Sequence, residues 1–190
     1  MALPTIDRSW SLFLDRDGVI NRRLPGDYVR DWEAFEWLPG ALEAIAGLTQ
    51  RAGRSFVVTN QQGIGKGLMT EQSLALIHAL MQQEITVAGG RIDAVYHCPD
   101  LSSAFPNCRK PGPAMAMQAK RAFPDVDFRR SVMVGDSLSD MQFGQALGMY
   151  TVLVTGKTEE QEAFRDAVER GLKIDARCGS LYEFYTDLPL

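Results

Sequence analysis

Asp15 and Asp17 stand two residues apart in the segment FLDRDGVIN (13–21), directly after the apolar run SLFL. Asp136 and Asp140 follow a second apolar run, SVMV, within GDSLSD, and Thr59-Asn60-Gln61 follow a third, SFVV. One lysine, Lys110, lies in the segment CRKP before the helix that precedes SVMV. A single aspartate after a strand is most often a turn or helix-cap residue. Three that converge on one edge, Asp15, Asp17 and Asp136, are different, because carboxylates a few ångströms apart repel by roughly 4 kcal/mol per pair at an effective dielectric near 20. A hard divalent cation relieves that repulsion, and Mg²⁺ suits oxygen ligands and substrate phosphates. A carboxylate edge holding Mg²⁺ beside a lysine is the equipment of phosphoryl transfer.

The elements that must position these residues alternate along the chain. Short apolar runs at 11–14, 55–58, 92–96, 131–134 and 151–154 read as strands. Helical patterns fill 38–52, a long stretch opened by Thr70 in a capping-box-like sequence, 113–123, 137–147 with Gly148 as its stop, 158–170 and a short segment from Ser180. Continuously apolar strands separated by single helices predict a parallel, doubly wound, Rossmann-like α/β sheet with helices on both faces. Ligands of such folds bind beyond the carboxyl ends of the strands, where the acidic residues lie.

Taken together, the segments resemble the four motifs of the haloacid dehalogenase-like phosphohydrolases. DRDGV resembles the first motif, VVTNQQG the second, RKP the third and VGDSLSD the fourth, in the family's order over most of the chain. The resemblance implies that Asp15 is the nucleophile that becomes an aspartyl-phosphate, and that Asp17 is the general acid and base. It implies that Thr59 binds a phosphoryl oxygen, that Lys110 offsets the developing charge, and that Asp15, Asp136 and the Asp17 backbone carbonyl hold Mg²⁺. Asp140 is expected to orient Lys110 rather than bind metal. Asn21, Asn60, Gln61 and Arg109 are the expected substrate contacts, with the Arg109 guanidinium suited to a second phosphate.

The gaps between motifs leave no room for the cap domain that many members carry, so residues 1–190 are expected to form one capless domain. Its loops (DRDGVIN, GDYV, FEWLPGALEAI, TNQQGIGKG, CRKP and VLVTGK) are similar to those of a group containing heptose 1,7-bisphosphate phosphatases and histidinol-phosphate phosphatases. A sugar bisphosphate is the leading substrate expectation and histidinol phosphate or another small sugar phosphate the alternative. Members of this group usually hold a structural Zn²⁺ through C-x-H and C-x-C pairs. Here the loop reads Cys98-Pro99-Asp100 and Pro106-Asn107-Cys108, so no Zn²⁺ is expected.

Composition narrows the remaining classes. The chain has 190 residues, 45% of them hydrophobic, enough for one substantial core. A formal net charge of −4 and the lack of a basic stripe oppose a nucleic-acid 3′-phosphatase. Retention of all the motif residues opposes a non-catalytic phosphate-binding protein. No apolar run is long enough to span a bilayer, and the start lacks a secretory pattern. Three cysteines are too few for a disulfide framework, so a monomer in the reducing cytoplasm, acting on a small phosphorylated molecule, is expected. His78, within the long helix, is expected to be a surface or partly buried residue. Trp32, Phe35 and Trp37 are expected to pack beneath their loop, and Lys66 of GIGKG to be a solvated loop lysine.

Overall fold

The strand β1 (Ser11–Leu14) is buried along its whole length and lies inside a six-stranded sheet. The computed structural model describes residues 3–155 and 161–189. The elements are β1, α1 (Ala41–Arg51), β2 (Arg54–Asn60), α2 (Glu71–Val87), β3 (Ala94–Cys98), α3 (Ala114–Ala122), β4 (Ser131–Gly135), α4 (Leu138–Leu147), β5 (Tyr150–Val154), α5 (Gln161–Glu169), β6 (Ala176–Cys178) and α6 (Leu181–Asp187). All pairings are parallel, in the order β3-β2-β1-β4-β5-β6. The strand β6 was not expected, because three residues of mixed exposure carry no recognisable pattern. The proposed helix start at Thr158, the acidic run Glu159-Glu160 and the Gly156-Lys157 end of VLVTGK lie outside the described residues.

Alternation along the central strands divides the core between the two faces. Leu12, Leu14, Val57, Val132 and Val134 pack with Ala44, Ile45 and Leu48 of α1, Leu74, Ile77 and Met81 of α2, and Phe184 of α6. Phe13, Phe56, Val58 and Met133 point the other way, against Met115, Ala116 and Ala119 of α3 and Phe143 of α4. Helices therefore cover both faces, and each helix is fixed by the strand residues beneath it. Trp32 stacks on Phe35, which meets Trp37 edge-on, and the trio packs against the α1–α2 face.

Register brings the motifs to one edge. Leu14 is paired with both Val57 and Val134, so the residues immediately beyond these three strands emerge side by side. One loop and α1 fill the chain from Asp17 to β2, and α2, β3 and a loop fill it from β2 to Lys110. Neither connection holds a cap among the described residues.

The loop from β3 to Lys110 corrects one expectation. Cys98 and Cys108 form a disulfide, with 10 residues of sequence separation. The cysteine count gave no hint, because the pairing depends on the loop returning to the end of β3. Cys178 is free and buried, and burial pushes its thiol up to about 11. No helix among the described residues is long and apolar enough to cross a membrane.

Candidate active site

The turn after β1 is built by its own backbone. The Arg16 carbonyl accepts from the Ile20 and Asn21 amides, and the Gly18 amide donates to the Asn21 carbonyl at 2.7 Å. Gly18 adopts φ +93°, and a Cβ there would sit 2.2 Å from Asp136 Oδ2. Glycine therefore lets the Asp17 turn and the Asp136 loop touch. A second close approach follows β4, where a Cβ on Gly135 would sit 2.2 Å from Cβ of Asp140.

Lys110 is the hub. Its ammonium donates to Asp15 Oδ1 at 2.7 Å and to the Val58 carbonyl at 2.6 Å, and it pairs with Asp140 Oδ1 at 2.6 Å. The lysine is 4% exposed and Asp140 fully buried, so this is a dry ion network. Burial alone would lower the Lys110 pKa, but Asp140 and Asp15 outweigh it and hold the ammonium above its ordinary range. Asp140 acts with its other oxygen as well. Asp140 Oδ2 accepts from the Ser137 amide and hydroxyl at 3.1 and 2.6 Å, completing a capping box at the start of α4. A helix cap thus aims the carboxylate that aims the lysine.

Asp15 is buried beneath the cleft floor. Burial pushes its carboxyl up to about 7, against the pull of Lys110 and with the help of Asp140 and Asp17. Oxygens of Asp15, Asp136 and Asp140 all lie within 4.8 Å of one another. Asp140 is occupied by Lys110 and the helix cap, so Asp15 and Asp136 are the carboxylates that can face a cation. Hard oxygen donors around a buried, acid-rich floor fit Mg²⁺.

Asp17 is held differently. Arg16 donates through Nη2 to both Asp17 oxygens at 2.9 Å, Asn21 Nδ2 donates to Oδ1 at 2.9 Å, and Gln61 Nε2 donates to Oδ2 at 2.8 Å. Burial would raise the Asp17 pKa, but Arg16 and the two amides outweigh it and hold the carboxyl below its ordinary range. Asn21 and Gln61, expected at the substrate, are 0% and 1% exposed and stand behind Asp17 instead. Arg16 is fully buried, and its Nη1 lies 3.2 Å from Nε2 of His78. His78, expected at the surface or partly buried, is buried outright under the motif turn.

The other predicted residues ring the cleft. Thr59 Oγ1 accepts from Gln61 Nε2 at 2.9 Å, which leaves its hydroxyl proton free to donate. Asn60 exchanges bonds with the Lys110 backbone, at 3.0 Å to the amide and 3.3 Å from its own Nδ2 to the carbonyl. Its side chain therefore ties β2 to the lysine segment and leaves only its backbone for a ligand. Arg109 is braced by the Asp100 carbonyl at 3.2 Å and lines the same cleft of about 430 Å³ as Asp15, Asp17, Thr59, Lys110 and Asp136. Sequence reasoning missed Arg23, whose Nε lies 3.5 Å from Asp136 Oδ2. Lys66, expected as a solvated loop lysine, lines the cleft with its ammonium 5.3 Å from the centre of the Tyr28 ring. His97 is turned to Glu71 at 2.8 Å rather than to the Cys98–Cys108 loop.

A parallel sheet of this order defines a class when an aspartate pair follows its central strand and a buried lysine is shared with an acidic loop. The chain belongs to the haloacid dehalogenase-like hydrolases, and a family model described as HAD-hydrolase-like matches residues 107–175. It is 48% identical over 142 residues, 75% of either chain, to D-glycero-alpha-D-manno-heptose-1,7-bisphosphate 7-phosphatase of Mycobacterium bovis. Identity to the D-glycero-beta-D-manno-heptose-1,7-bisphosphate 7-phosphatase of Vibrio cholerae is 36%, over 83% of this chain and 89% of that one. Among solved structures, the D,D-heptose 1,7-bisphosphate phosphatase of B. bronchiseptica, complexed with magnesium and phosphate, superposes with a TM-score of 0.78. It is 33% identical, with 93% of this chain and 96% of that one covered.

Proposed function

We propose that the protein is a Mg²⁺-dependent phosphatase that removes the 7-phosphate of D-glycero-D-manno-heptose 1,7-bisphosphate through an aspartyl-phosphate on Asp15. The observation that carries this reading is the pairing of Asp15 with Lys110 at the floor of a cleft whose wall holds Arg109. The resemblance to the heptose bisphosphate 7-phosphatases selects the substrate from the phosphate esters such a cleft could admit.

The chain's own residues define the steps. Lys110 holds Asp15 Oδ1, so Oδ2 is the oxygen that attacks phosphorus. The Thr59 hydroxyl and the Lys110 ammonium face the transferring phosphoryl group and stabilise charge that grows as the ester bond breaks. Asp17, once turned from Arg16, takes a proton from the solvent of the cleft, gives it to the departing sugar oxygen, and then takes one from the water that hydrolyses the aspartyl-phosphate. Asp15, Asp136 and the Asp17 carbonyl would hold Mg²⁺, which supplies charge neutralisation between nucleophile and phosphate. Arg109 offers a fork of parallel N–H donors that two oxygens of a phosphate match, so it receives the 1-phosphate. The same reading takes residues 1–190 as one catalytic domain, working as a monomer on a small phosphorylated sugar.

The test is phosphate release from the α and β anomers of the bisphosphate, histidinol phosphate and simple sugar monophosphates, with and without Mg²⁺. The bisphosphate should be preferred, Mg²⁺ required and Asp15→Asn inactive. Equal turnover of histidinol phosphate, or activity surviving in Asp15→Asn, would overturn the substrate or the mechanism respectively.

A further inference from the structure

Asp17 is oriented in a way that proton transfer cannot use. Both its oxygens accept from Arg16, and each accepts from a side-chain amide as well. A carboxyl group that accepts these four hydrogen bonds has no proton to offer in that orientation. To reach the leaving oxygen it must turn away from the guanidinium. That movement has a cost, because Arg16 is 0% exposed and no water can replace the lost acceptor.

A second contact holds the guanidinium independently of Asp17. Arg16 Nη1 lies 3.2 Å from His78 Nε2, on the side of the guanidinium away from the Nη2 bonds to Asp17. His78 projects from the middle of α2 and is 6% exposed. Burial, then the charge of Arg16 and the neighbouring His97, push it down to about 3, outweighing the pull of Asp17. The ring is therefore neutral at any working pH, with Nε2 as the acceptor and Nδ1 as the protonated nitrogen. His97 does not share the role, since its Nε2 is engaged by Glu71.

We propose that His78 is a positioning residue for proton transfer: by anchoring Arg16 through Nη1, it keeps the guanidinium from following Asp17 when the general acid turns to the substrate. The proposal rests on the reading of Asp17 as general acid, and it places a determinant of kcat beneath the motif turn, out of contact with substrate. Asp17 takes up a proton from the solvent of the cleft once it has turned, passes it to the ester oxygen as the P–O bond breaks, and then accepts a proton from the attacking water. His78 gains and loses none.

The test compares two leaving groups in rapid-quench single turnovers of the full-length protein with Mg²⁺. A sugar alkoxide needs the proton, whereas dinitrophenolate departs without it. His78→Leu should slow phosphoryl transfer from the sugar phosphate about tenfold and leave its KM within about twofold. Transfer from 2,4-dinitrophenyl phosphate should stay within about twofold of wild type. His78→Asn, which restores an acceptor, should return the sugar phosphate rate to within about threefold of wild type. The ratio of the two rates, taken on one preparation, does not depend on the fraction of folded enzyme. An unchanged ratio in His78→Leu, or no recovery in His78→Asn, would overturn the proposal. Asp17→Asn separates the two levels. If it too leaves the ratio unchanged, the reading of Asp17 fails; if it shifts the ratio and His78→Leu does not, only the role of His78 fails.

Discussion

Replacing Lys110 by methionine, which keeps most of its length, removes one cation from between two buried carboxylates. Asp15 and Asp140 each lie within hydrogen-bond distance of its ammonium, and their oxygens are within 4.8 Å of each other. Without the cation they repel by about 3.5 kcal/mol at an effective dielectric near 20, or one of them must bind a proton. Either route destabilises the metal-free fold at pH 7.5 by about 3 kcal/mol, which for a chain of this length lowers the melting temperature by about 6–12 °C. Loss of the charge that faces the phosphoryl group should cut kcat/KM by about 10³-fold. The two effects separate in a double variant. Lys110→Met with Asp140→Asn removes the repulsion and should recover at least about half of the lost stability while activity stays low. Thermal melts in EDTA and steady-state kinetics with Mg²⁺ read both quantities. A double variant no more stable than Lys110→Met, or activity in Lys110→Met within about tenfold of wild type, would refute the assignment of Lys110 as the hub.

Three further outcomes follow from the same geometry. Asp15 binds its proton more tightly folded, at about 7, than at its ordinary 3.8, so the stability it contributes is full below pH 3.8 and is lost as pH rises through 7. Melting temperature in EDTA should therefore fall between pH 5 and 8 (by about a few kcal/mol in stability), and Asp15→Asn should flatten that fall; parallel curves for the two proteins would contradict it. Gly18→Ala places a Cβ 2.2 Å from Asp136 Oδ2 at φ +93°, so calorimetric titration should show Mg²⁺ affinity reduced at least about tenfold, and wild-type affinity would show that the two loops need not touch. Reducing Cys98–Cys108 frees a short loop, and the chain-entropy model puts the loss near about 3 kcal/mol, readable as a lower melting temperature. Metal analysis of the reduced protein should find no Zn²⁺, since Pro106 cannot ligate and, among the described residues, only Asp100 joins the two sulfurs; one equivalent of Zn²⁺ would contradict this.

The strand ends were legible because each motif follows a buried apolar run, and a parallel sheet sends all such ends to one edge. Asp15, Thr59 and Asp136 therefore came together from sequence order, whereas Lys110, in the loop beyond β3, was placed by the resemblance of RKP to the third motif. The division of labour behind them was not legible. Asn21 and Gln61 have residue types suited to a sugar, yet the turn closed by Arg16 and Gly18 points them at Asp17. His78 sits on a helix whose apolar residues, Leu74, Ile77 and Met81, predict a buried stripe. Only the docking of α2 beneath the first motif shows that a histidine in that stripe meets a guanidinium. The disulfide and β6 were hidden for the same reason, since both depend on contacts between segments with no local pattern of their own.

The charges of the site divide into parts of unequal balance, and that inequality is informative about what the cleft receives. Arg16 answers Asp17, and Arg23 approaches Asp136. Lys110 alone faces both Asp15 and Asp140, so the nucleophile's own cluster carries one negative charge too many. Burial makes that excess costly, which is why Asp15 is pushed toward protonation when nothing else is present. A divalent cation beside Asp15 and Asp136 removes the excess and leaves net positive charge, the condition under which a phosphate dianion can approach an anionic nucleophile. The cluster is therefore built so that substrate binding depends on the cation, whereas the Asp17 clamp, already neutral, is free to respond to the leaving group.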